Sequence, residues 1–117
     1  MKHKRTGRTL GRNATTRKQL WRNLASSLLT HGSVVTTRAK AKDLRGFFEP
    51  LVSRARGDMT LAKRRLLLKN IRKDDLPGLI KVAKAQEKRP GGYLRLTRLP
   101  RKRLDGSEMV KVDILYE

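Results

Sequence analysis

A chain of 117 residues with 30 Lys or Arg against 10 Asp or Glu carries a formal charge of +20, and its length suits one domain with a short appended arm. Hydrophobic residues make up 37% and charged residues 34%, so the core is small; no apolar run approaches the ~18 residues of a membrane span. Zero cysteines exclude a disulfide scaffold, a Cys-ligated zinc finger and an iron–sulfur cluster.

The charge is unevenly placed. Residues 1–42 hold 11 basic and no acidic residues. Such a body repels itself unless a polyanion neutralises it, and nucleic acid gains from that neutralisation by releasing counterions. The first segment, Met1 to Asn13 (MKHKRTGRTLGRN), is basic and Gly-punctuated, and Leu10 is its one large apolar residue after the start. It lacks the apolar h-region of a secretory signal and is read as part of the mature protein. It cannot bury enough surface to offset its ordering entropy, so residues 1–13 are expected to be an arm that orders on RNA.

Helix one follows. Thr16 and Gln19 fit a capping box, and Leu20, Leu24 and Leu28 with Trp21 and Ala25 make an apolar stripe. His31 and Gly32 close it, with Gly as a left-handed cap. Ser33 to Thr37 (SVVTT) reads as a strand. A second amphipathic helix spans about Arg38 to Ala55, with Leu44, Phe47, Phe48, Leu51 and Val52 on its core face and Pro50 inside. A short helix over about Thr60 to Lys69 precedes a third amphipathic element, for which Asp74 is the expected cap and Pro77 fits the first turn. Arg89-Pro90-Gly91-Gly92 breaks the helical period. Beyond it, Tyr93–Leu99 and the run Val110, Val112, Ile114 alternate as strands of a hairpin, with the basic loop 100–107 at its tip. The expected fold is a single small α+β domain over 14–117, of order α-β-α-α-α-β-β, with helices packed on a small mixed sheet and a basic extended N-terminal arm.

Catalysis finds no convergent set of groups. His3 lies in the arm and His31 at a helix end, and the one adjacent carboxylate pair, Asp74-Asp75, is better explained by helix capping. Gly91-Gly92 is too short to cradle a phosphate and lacks the Lys-Ser/Thr that would follow. No enzyme, cofactor or metal site is expected. Among nucleic acids, the β-branched run after Gly32 argues against a helix-turn-helix, and five aromatics, three of them on core faces, argue against single-strand stacking. Phosphate and shape recognition of folded RNA remains. The competing readings are a nucleoid-type general nucleic-acid-binding protein, on charge alone, and a small RNA-acting enzyme, on Asp74-Asp75 alone.

The series His3-x4-Arg8-x-Leu10-x-Arg12, Arg22-Asn23-Leu24-Ala25-x-Ser27-Leu28-Leu29-x-His31-Gly32, Thr36-Thr37-x2-Lys40-Ala41-Lys42-x-Leu44-Arg45 and Gly91-Gly92-Tyr93 resembles the bacterial large-subunit ribosomal protein L-seventeen family, in order and over nearly the whole chain. The chain departs from that pattern in a more basic third helix and at Pro77-Gly78. The resemblance implies a structural constituent of the large ribosomal subunit, cytoplasmic in the ribosome, whose partners are large-subunit rRNA and neighbouring large-subunit ribosomal proteins. It implies no membrane, no small-molecule substrate and no homo-oligomer. Carried over by position, the implied rRNA contacts are Lys2, His3, Lys4, Arg5, Arg8 and Arg12 in the arm and Arg17, Lys18, Arg22 and Asn23 on helix one. Thr36, Thr37, Arg38, Lys40, Lys42 and Arg45 follow where helix two begins, with Tyr93 and Arg95 beside the second strand and Arg101, Lys102 and Arg103 at the hairpin tip. Trp21 is read as core or protein packing before base stacking.

Overall fold

The computed structural model describes residues 8–115. Helix α1 (Ala14–His31) is followed by β1 (Ser33–Thr37), α2 (Arg38–Arg54) and α3 (Leu61–Leu68). A 3-10 turn (Lys73–Asp75) leads into α4 (Leu76–Ala85), and the hairpin β2 (Leu94–Lys102) and β3 (Glu108–Ile114) closes the order. The α+β class and the element order are those expected from the sequence.

The sheet has the spatial order β1-β3-β2 and is antiparallel throughout, where a mixed sheet was expected. The hairpin makes β2 and β3 antiparallel. The Gly32 carbonyl accepts from the Ile114 N–H at 3.1 Å, which starts β1 beside the far end of β3 and sets Ser33 opposite Asp113. Val34 then faces Val112, and Leu96 faces Val112 from the other side. On this inner face Val110, Val112, Ile114 and Leu94 are buried together with Ala41, Leu44, Phe48, Leu51 and Val52 of α2. Helix α2 touches all three strands, α1 packs beside it, and α4 covers the two helices from outside with Leu76, Leu79, Val82 and Ala83.

Several element boundaries differ from expectation for local reasons. The N-cap of α1 is Asn13, whose Oδ1 accepts from the Thr16 N–H at 2.8 Å, so the helix starts before the Thr16–Gln19 pair. Asn caps at least as well as Thr, and an extra turn of helix follows from it. Asp74 lies in the 3-10 turn, not at a cap. Asp75, the residue before α4, has helical backbone angles (φ −88°, ψ −14°) unlike the extended N-cap shape, and its Oδ1 accepts from Ser26 Oγ at 3.1 Å instead. Strand β2 runs on through Lys102 past an irregularity between Arg98 and Lys102, leaving a tip of residues 103–107 in place of the expected 100–107 loop. Pro100 falls inside that irregular stretch, where a missing N–H costs no ladder bond. Pro50 sits in α2 as expected; it and Gly46 are both exposed, so the Gly46 carbonyl that loses its donor faces water.

Candidate nucleic-acid interface

The residues around the start of α2 come from three separate parts of the chain. Thr37 holds the N-cap place with extended backbone, yet its side chain makes no capping bond, and the first turn carries no acidic residue. The positive end of the helix is therefore not offset by its own side chains, which favours an anion there. Arg8, Thr37, Arg38, Ala39, Lys42, Ser107 and Glu108 line a recess of about 530 Å³ over this terminus. Glu108 Oε2 lies 3.4 Å from Arg38 Nη1 and 3.9 Å from Arg98 Nη2, so one carboxylate is shared by two guanidiniums.

Residues 8–13, expected as part of an unstructured arm, form a turn held by the chain's own groups. Arg8 donates to Asp43 twice, from its backbone N–H at 3.2 Å and from Nη1 at 2.8 Å. The Arg12 N–H bonds to the Thr9 carbonyl, Arg12 Nη1 donates to the Leu10 carbonyl, and Arg17 Nη1 donates to the Arg12 carbonyl. Leu10 takes a left-handed φ of +52°, a conformation L-residues adopt at a cost and keep only where neighbours fix it. Residues 8–13 thus leave α1 folded back against α2, which places Arg8 at the recess.

A family model described as Ribosomal protein L17 matches residues 20–115. The Large ribosomal subunit protein bL17 of Gemmatimonas aurantiaca is 38% identical over 117 residues, covering 98% of this chain and 98% of that protein. The chain belongs to the Ribosomal protein L17 family.

Of the residues implied by that family resemblance, Lys2, His3, Lys4 and Arg5 lie outside the described residues. Arg8, Thr37, Arg38 and Lys42 meet at the recess. Lys40 follows in the same helical turn, and Arg45 is occupied by Glu49 at 3.3 Å. Lys18 and Asn23 are exposed on α1, while Arg12, Arg17 and Arg22 are partly buried and bonded to backbone carbonyls. Arg95 projects from the open face of the sheet, Arg101 and Lys102 belong to β2, and Arg103 is exposed at the tip.

Two expected contacts need correction. Thr36 is 8% exposed because, two residues from Val34, it shares the inner face of β1. Tyr93 is 1% exposed, with its hydroxyl 3.3 Å from Ser53 Oγ and the Arg56 guanidinium 5.0 Å from its ring centroid. Neither presents a side chain to a partner. The sequence reading also missed Asp43, Arg98 and Glu108, whose roles arise only from pairing across the fold. At the tip, Asp105 Oδ1 accepts from the Ser107 N–H at 3.0 Å, and Gly106 takes a φ of +82°. That backbone hydrogen bond, and after it one from the Ser107 side chain, hold the Asp105 carboxyl below its usual range.

Proposed function

We propose that this chain is a structural constituent of the large ribosomal subunit, where it binds and stabilises folded large-subunit rRNA through phosphate and shape contacts and so supports assembly and translation. It is a cytoplasmic, non-enzymatic part of a ribonucleoprotein, and its partners are that rRNA and neighbouring large-subunit proteins. The observation that carries the reading is the recess at the start of α2, where Arg8, Arg38 and Lys42 surround a helix terminus without a side-chain cap. Family membership supplies the subunit. The net charge of +20 supplies the affinity, since each phosphate neutralised releases counterion. Leu104, fully exposed at the hairpin tip, and the half-exposed Leu66 on α3 suit contact with protein neighbours.

Sucrose-gradient sedimentation of cell extracts tests this. The protein is expected with large subunits and is expected to leave them only at high salt. Recovery in the free fraction, or on nucleoid DNA with equal retention of duplex DNA and folded rRNA in a competition gel, overturns it in favour of a general nucleic-acid-binding protein.

A further inference from the structure

A second cleft lies where α1 meets the connection between α3 and α4. Gln19, Arg22, Asn23 and Arg72 line about 270 Å³ there, and no apolar side chain takes part. Arg22 and Arg72 are fifty positions apart, and only the packing of α1 against the 3-10 turn brings them together.

Both guanidiniums are held by neutral acceptors. Arg22 Nη2 donates to the Lys69 carbonyl at 2.6 Å, and Arg72 Nη2 donates to Asn23 Oδ1. Among the described residues, no carboxylate forms an ion pair with either one. Arg22 Nε is buried and has no hydrogen-bond partner, so only the outer nitrogens of this guanidinium are available to the cleft. Asp75, in the 3-10 turn, accepts through Oδ1 from Ser26, one turn along α1 from Arg22, and its buried Oδ2 has no hydrogen-bond partner. Two positive charges thus converge in a polar recess, already oriented, with no carboxylate ion-paired to either among the described residues. Exposed Lys18, Lys69 and Lys73 lie in the same stretches of chain.

We propose that this cleft is a second RNA-backbone site, so that the domain clamps two separate segments of RNA, one at the start of α2 and one between α1 and Arg72. The inference rests on the rRNA-binding reading above and adds to it. The two recesses share no residue and are built from different elements. Guanidiniums fixed in a fork suit phosphate oxygens, and the exposed Gln19 amide can donate to or accept from a ribose 2′-hydroxyl. A protein neighbour is the weaker occupant, because the centre of a protein interface is apolar or aromatic and this lining is neither.

Hydroxyl-radical footprinting of the full-length protein on large-subunit rRNA tests the clamp. The wild type is expected to protect two separated stretches. Arg72→Gln with Gln19→Ala is expected to lose one stretch and keep the other; Arg38→Gln with Lys42→Gln is expected to do the reverse. Removing Arg72 lowers the slope of log affinity against log salt by about one unit, and Arg72→Lys restores that slope. Both stretches and the slope remaining at wild-type values in the Arg72 and Gln19 variant overturn the proposal. So does unchanged RNA protection accompanied by poorer incorporation into subunits, which assigns the cleft to a protein carboxylate. Failure of the underlying reading is separate: the wild type then shows no preference for rRNA over duplex DNA. Residues 19 and 72 are exposed, and an unchanged thermal melt confirms that the variant is folded.

Discussion

Asp43 orients Arg8 by two hydrogen bonds, and this carboxylate is the first acidic residue in the chain. The Arg8 side chain is 46% exposed, so the pair is worth only about 0–1 kcal/mol. Asp43→Asn is therefore expected to move the melting temperature little, while trypsin cuts faster after Arg8 and Arg12; equal cutting rates would show that the turn does not depend on the pair. Arg8 was legible as a candidate because it stands in a basic run and in the series that carries the family resemblance. Its partner was not, because a carboxylate 35 positions away has no local signature. At the hairpin tip the lowered pKa of Asp105 sets a sign. A carboxyl whose folded pKa is depressed stabilises the tip above its unfolded pKa and loses that contribution as pH falls through the folded value. The Ser107 amide resonance is thus expected to titrate with a midpoint below the ordinary value of 3.8, and a midpoint at or above it would show that the hydrogen bond is absent in solution.

At the scale of elements, periodicity located α1, α2, α4 and the hairpin strands, because apolar spacing of 3.6 or 2 follows directly from which face is buried, and β-branching located β1. It did not settle which face of a short strand is inside. SVVTT reads equally with Val35 or Val34 inward, and pairing with Val112 decides for Val34, leaving Val35 52% exposed and Thr36 buried. Tyr93 was named a contact only through the family resemblance; in the fold Ser53 and Arg56, from the end of α2 and just beyond, cover it. Tyr93→Phe is expected to cost about 0.5–1.5 kcal/mol, and Tyr93→Ala about 3–5 kcal/mol, by denaturant titration. Tyr93→Phe should leave rRNA affinity unchanged; a loss of affinity without loss of stability would return Tyr93 to the interface. In α2, Gly46 is exposed and a Cβ there meets nothing within 4 Å. Gly46→Ala should stabilise the domain by about 0.5–1 kcal/mol by limiting the unfolded chain; destabilisation would mean that the stretch before Pro50 needs glycine's freedom.

Across the whole molecule, salt acts on folding and on binding with opposite signs. The charge of +20 opposes compactness, so the melting temperature of the isolated protein should rise between about 0.05 and 0.5 M salt as the Debye length shortens. Affinity for rRNA should fall steeply over the same range. A melt that ignores salt would mean that the charges are already compensated within the fold. Charge, class and order were legible at this scale because each is a property of long stretches; the two arginine recesses were not, because each unites positions tens of residues apart. The strand order β1-β3-β2 carries one more consequence. The central strand is the last of the elements to be synthesised, and Ser33 waits for Asp113, eighty positions later, before it can pair. Until then the nascent chain displays unpaired edges and the bare leucines of α1 and α2, beside a polycation able to seize any passing nucleic acid. A newly made copy is at its stickiest before its sheet closes, which makes the interval during translation the one in which it most needs a chaperone.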